Sequence, residues 1–250
     1  MHQPVPGVFT PGQLLFAECL QVVTVLLAVG IMMRIESRSF ADYGLPGSAA
    51  FGKRFWQGMV LGFVAVTLLM GLIAARHGYS PGGWALTLGD AIRYALFYLV
   101  VFLLVGFFEE FSFRGYFQAT LASGIGFWPA AVVLAALFGG GHLANPGEAR
   151  LGAVMAGTFG LLAAFSLRRT GNLWFAIGMH ASWDWGETYF YSVPDSGIQA
   201  QGHLLNSSFH GPNWLTGGTV GPEASYFVFP ILVIAAAAIH VLFPSKLKPS

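Results

Sequence analysis

The chain has 250 residues, of which 55% are hydrophobic and only 9% charged, with a net charge of +1. Soluble chains carry about 25% charged residues, so a protein of this size could not cover its surface with polar groups in water. The near-neutral balance excludes an electrostatic partner such as nucleic acid. The single cysteine, Cys19, excludes an intramolecular disulfide and a cysteine-based metal site.

The N-terminal segment lacks the basic region and small-residue cleavage site of a signal peptide. The first apolar run, 14–33, is therefore expected to be retained. Further runs follow at 56–75, 91–108, 127–141, 151–167, 172–186 and 226–243, and the moderately apolar 115–124 reads as part of an additional helix. Crossing about 30 Å of hydrocarbon takes roughly 20 apolar residues. A backbone in lipid must satisfy its own hydrogen bonds, which makes such runs helices; the alternating polarity of a β-barrel is absent. The expected fold is all-α, a polytopic transmembrane bundle of about eight helices forming one membrane domain over 1–250.

Basic residues set the expected orientation. Arg34, Arg38, Lys53 and Arg54 fall in the first loop, Arg168 and Arg169 follow the fifth long run, and Lys246 and Lys248 follow the last. Cytoplasmic placement of all three groups puts the N-terminus outside and the C-terminus inside after seven crossings. An independent span at 115–124 makes eight, and one basic group then fits badly. The polar stretch 188–225, with the turn signals Pro194-Asp195-Ser196-Gly197 and Gly217-Gly218, is expected outside the membrane, either as a cap or as a plain connector.

Ionisable side chains within spans cost several kcal/mol unless paired or facing a cavity, and so mark function. Three clusters stand out. In the first, Glu109, Glu110 and Arg114 lie among four phenylalanines. Glu110 and Arg114 are four apart with the acid first, the favourable order for a helical ion pair. Glu109 is turned about 100° away, which leaves it free to accept a proton as a general base. In the second, His142 closes an apolar helix after Phe138 and three glycines. In the third, His180 and Asp184 share one helix face. Three polar groups on three apolar helices avoid lipid best by meeting in one wet cavity, the inventory of a hydrolytic or proton-coupled transport site.

The order Glu-Glu-x-x-x-Arg, Phe-x-x-x-His, His-x-x-x-Asp resembles the CPBP (ABI) family, which includes the type II CAAX prenyl endopeptidases. Here the motifs are Glu109 to Arg114, Phe138 to His142 and His180 to Asp184, and the resemblance covers 91–186. It implies an eight-helix bundle, with the extra span drawn from 91–124. It also implies an intramembrane endopeptidase of a bacterial plasma membrane, acting on a membrane-associated protein or peptide. By the same resemblance Glu109 and His142 activate water, His180 and Asp184 stabilise the oxyanion, and Glu110 and Arg114 hold the architecture. CAAX endopeptidases usually carry Asn at the position of Asp184, so this Asp is expected either protonated or orienting His180. Prenylated substrates do not follow from the resemblance.

Glu109, His142 and His180 also form a candidate three-ligand zinc site with water in the fourth position, although no His-Glu-x-x-His signature supports it. A metal-free, glutamate-dependent peptidase is the other reading. Outside proteolysis, a proton-coupled transporter or a non-catalytic immunity or scaffold protein would use the same residues; the sequence has no inverted repeat of the transporter kind.

Overall fold

The computed structural model describes residues 8–145 and 147–244. Each long apolar run is a helix. The path is α1 (Pro11–Glu36), α2 (Lys53–Ala75), α3 (Leu88–Glu110), α4 (Gln118–Ile125), α5 (Phe127–His142), α6 (Arg150–Thr170), α7 (Leu173–Trp185), the single turn α8 (Asn213–Thr216) and α9 (Val228–Leu242). Thr10 opens α1 with a reciprocal capping box to Gln13, and Thr87 caps α3 through the Asp90 N–H. Among the described residues, Pro11–Glu36, Lys53–Ala75, Leu88–Ile125 and Arg150–Thr170 are long and apolar enough to cross a membrane, and Phe127–His142 and Val228–Leu242 are shorter apolar helices. The protein is an integral membrane helix bundle.

The region 115–124 does not supply a separate span. A π-helical stretch, Phe111–Phe117, joins α3 to α4 without a break, so Leu88–Ile125 is one helical path. Gly115 keeps a right-handed backbone; the chain first turns at Gly126, whose φ of +86° suits glycine. This hairpin also removes a difficulty of the seven-crossing path, in which Glu109 and His142 belong near opposite membrane faces. From Glu109 the helix continues 16 residues to Ile125, and α5 returns 15 residues from Phe127 to His142. At 1.5 Å per residue both legs are about 23 Å long, so the two side chains reach the same depth without an added crossing.

The bundle is centred on α7, which is buried from Leu173 to Asp184. It packs chiefly on α2 and α3. Small residues allow this closeness: a Cβ on Gly58 or Gly62 of α2 would collide with the Phe175 and Met179 carbonyls of α7, and one on Gly178 with the Phe55 carbonyl. Van der Waals packing of small residues is the main source of helix association in lipid. Large apolar side chains on the outward faces, including Phe16, Leu27, Ile31, Val60 and Val132, remain exposed, as a lipid-facing surface requires.

The polar stretch is folded. It contributes β3 (Gln199–Ala200), which pairs in parallel with β1 (Val8–Phe9), and β4 (Ser208–Phe209), which pairs antiparallel with β2 (Tyr79–Ser80). Asn145 Nδ2 donates to the Ser196 carbonyl, and Thr219 Oγ1 to that of Gly147. The segment thus lies over one end of the bundle, where α2, α5 and α7 finish and α3, α6 and α9 begin. Arg34, Arg38, Lys53, Arg54, Arg168 and Arg169 all belong to the opposite end; Lys246 and Lys248 lie outside the described residues.

Candidate active site

His180, 7% exposed, is the hub of the site. Its Nδ1 lies 2.8 Å from Glu110 Oε1. Its Nε2 lies 3.5 Å from both Glu109 Oε2 and Asp184 Oδ2. A carboxylate oxygen accepts, so the Glu110 contact places a proton on Nδ1 and turns Nε2 towards the other two acids. Glu110, rather than Asp184, therefore fixes the imidazole ring.

Glu110 is completely buried, and its Oε1 also lies 3.3 Å from Arg114 Nη1. The guanidinium stacks 4.1 Å from the centre of the Phe138 ring, and Nε donates to the Gly160 carbonyl at 3.4 Å. Any Cβ on Gly160 would occupy the place of Arg114 Nη2. Arg114 makes no ion pair with Glu109. Glu109 Oε2 is buried without a hydrogen-bond partner, which leaves an open acceptor site facing His180.

His142, the last residue of α5, directs Nδ1 at the Phe138 carbonyl at 2.8 Å. Because a carbonyl only accepts, Nδ1 carries the proton, and Nε2 of the neutral ring keeps its lone pair. Phe138 packs 4.6 Å from the His142 ring and 6.4 Å from that of His180. One aromatic side chain thus separates and aligns the arginine and both histidines. The π stretch begins immediately after Glu110, and a second, Gly186–Phe190, follows α7 just beyond Asp184. Such local widenings of a helix recur at functional sites.

Glu109, His142, His180 and Asp184 all line one cavity of about 350 Å³. It is within the usual size range of ligand sites. Sequence reasoning missed several of its walls. Glu18 and Gln21 of α1 face it, as does Phe159 of α6, whose ring sits 5.0 Å from that of His180. Asp195 and Glu223 approach from the folded polar stretch. Glu18 was detectable by the rule used for the other acids, being a carboxylate within an apolar run.

The zinc triad is not assembled. Ligands on a tetrahedral zinc, about 2.0–2.1 Å from the metal, stand roughly 3.4 Å from one another. The ligand atoms of Glu109, His142 and His180 do not all fall within 4.8 Å of each other, a test that Glu187, Asp195 and Glu223 alone pass among the described residues. No step is therefore routed through a metal here.

A family model described as type II CAAX prenyl endopeptidase Rce1-like matches residues 91–186. Over this segment the chain is similar to the CPBP (CAAX-protease) family, as its three motifs imply. The match begins in α3, ends one residue beyond α7, and contains all three polar motifs. Neither a curated protein nor a solved structure matches the chain. The likeness supports a CAAX-type intramembrane endopeptidase, a hydrolase of the membrane, at family level.

Proposed function

We propose that the chain hydrolyses a peptide bond of a membrane-associated protein or peptide, without a metal, using Glu109 and His142 to activate water. The observation that carries this reading is the convergence of Glu109, His142, His180 and Asp184 from three helices on one cavity. A water between Glu109 Oε2 and His142 Nε2 would lose its proton to the carboxylate as its oxygen attacks the scissile carbonyl. The tetrahedral intermediate carries an oxyanion, for which a protonated His180 Nε2 is the donor. The C–N bond then breaks, and Glu109 returns the proton to the leaving amine. Glu110 and Arg114 act by fixing His180, and Asp184 shares the Nε2 proton when no oxyanion is present.

The placement of basic residues supports an orientation. Six lie at the end away from the polar stretch, against Arg76, Arg93 and Arg150 at the covered end. The positive-inside bias makes the six-residue end cytoplasmic. The cavity and its cover then face the opposite side of a bacterial plasma membrane. The test is cleavage of membrane-peptide libraries by purified protein, with Glu109→Gln as control. Full turnover by a folded Glu109→Gln protein would sink the reading.

A further inference from the structure

Beyond the hydrolytic cluster lies a second group of acids with a different geometry. Glu187 follows α7 in the second π stretch, Asp195 sits in the polar stretch, and Glu223 belongs to the short 3-10 turn Pro222–Ala224 that precedes α9. One carboxylate oxygen from each lies within 4.8 Å of the other two. Glu187 is completely buried, and neither of its oxygens has a partner at hydrogen-bond geometry, although the Trp183 indole lies nearby. Glu223 Oε1 is likewise buried and unpartnered. Asp195 has a single donor, the Thr188 hydroxyl at 3.2 Å.

Three converging carboxylates with open lone pairs require compensation. Among the described residues no Lys or Arg forms an ion pair with any of them. The charged and titratable neighbours are His142, His180, Glu148, Asp184 and Glu109, and three of these are themselves acids. Burying a carboxylate with neither partner nor proton is very costly.

We propose that Glu187, Asp195 and Glu223 bind a hard divalent cation, separate from the hydrolytic cluster, that ties the end of α7 to the cover of the active-site cavity. An all-oxygen, carboxylate-rich donor set suits Ca²⁺, Mg²⁺ or Mn²⁺ rather than a softer metal. Water and the Thr188 hydroxyl remain to complete the coordination. The location gives the ion a function, because Asp195 and Glu223 also line the cavity containing Glu109 and His180. Without the ion, burial and the Asp195 charge push Glu223 up to about 8, and burial with the Asp184 charge raises Asp195 well above the carboxylate range.

The test uses full-length protein in detergent, stripped with EDTA and titrated separately with Ca²⁺, Mg²⁺ and Mn²⁺. Mn²⁺ binding is read by paramagnetic resonance and stability by thermal unfolding. One equivalent should bind per chain, and at about a hundredfold excess over Kd the midpoint should rise by about 5–10 °C. Glu187→Gln and Glu223→Gln should each weaken binding by tenfold or more, whereas Glu109→Gln should leave it intact. Absence of a bound equivalent in the wild type overturns the proposal whatever the variants do. Binding lost in Glu109→Gln but kept in Glu187→Gln overturns it too, since the ion then sits at the hydrolytic cluster. The readout is metal binding, so failure of the peptidase reading leaves this result standing.

Discussion

Replacing Arg114 by Met tests how the site is held together. The side chain is 3% exposed and its partner Glu110 is completely buried, so solvent screening offers little relief. At the 3.3 Å separation, two unit charges at an effective dielectric of about 20 attract by roughly 5 kcal/mol. Breaking a buried pair from one side costs about 3–5 kcal/mol, because it strands the remaining charge. For a chain of this size that is a fall of roughly 6–20 °C in the unfolding midpoint. The double variant Glu110→Gln/Arg114→Met removes both charges, and the glutamine oxygen can still accept from His180 Nδ1. It should regain most of the stability lost by Arg114→Met alone. Thermal unfolding in detergent of the two single variants and the double gives the coupling directly. If Arg114→Met costs no more than the exposed Arg93→Met, or if the double variant loses the sum of the singles, the buried-pair reasoning is refuted.

Asp184→Asn retains an oxygen near His180 Nε2 while removing a charge that opposes an oxyanion. Its kcat should stay within about tenfold of the wild type, whereas Asp184→Ala should fall further. Gly62→Leu places a side chain against the Met179 carbonyl and should separate α2 from α7, costing about 1–3 kcal/mol or more and lowering the unfolding midpoint. The pH dependence has a definite sign in chelator. Glu223 has a folded value of about 8 against an unfolded value of 4.5, so its protonated form favours the fold. That contribution is complete below about pH 4.5 and is lost as pH rises through 8. Midpoints measured across this range should fall in EDTA, and less steeply with Ca²⁺ present.

The helices were legible because lipid leaves an apolar run little choice of structure, and 14–33, 56–75 and 151–167 each lie within the observed α1, α2 and α6. The path through 115–124 was harder. Nothing in Phe111 to Phe117 announces a π stretch, and Gly115 resembles a turn residue even though Gly126 makes the turn. The contact between Glu110 and Arg114 could be read from spacing, since helical neighbours four apart meet regardless of the fold. The contact between Glu110 and His180 could not, because it joins residues 70 positions apart. Gly160 shows the same limit. Its role is to leave room for a guanidinium arriving from another helix, which no local pattern records. The acids of the polar stretch were visible as residues but not as a cluster, because Glu187 and Glu223 meet only once the stretch folds over the bundle.

The most direct test of the account compares turnover of membrane-peptide libraries by wild-type and Glu109→Gln protein, each verified as folded by its unfolding midpoint. The account predicts cleavage by the wild type and no detectable cleavage by Glu109→Gln, with midpoints that differ little. Equal turnover by the two would show that Glu109 is not the base and would contradict the proposed chemistry.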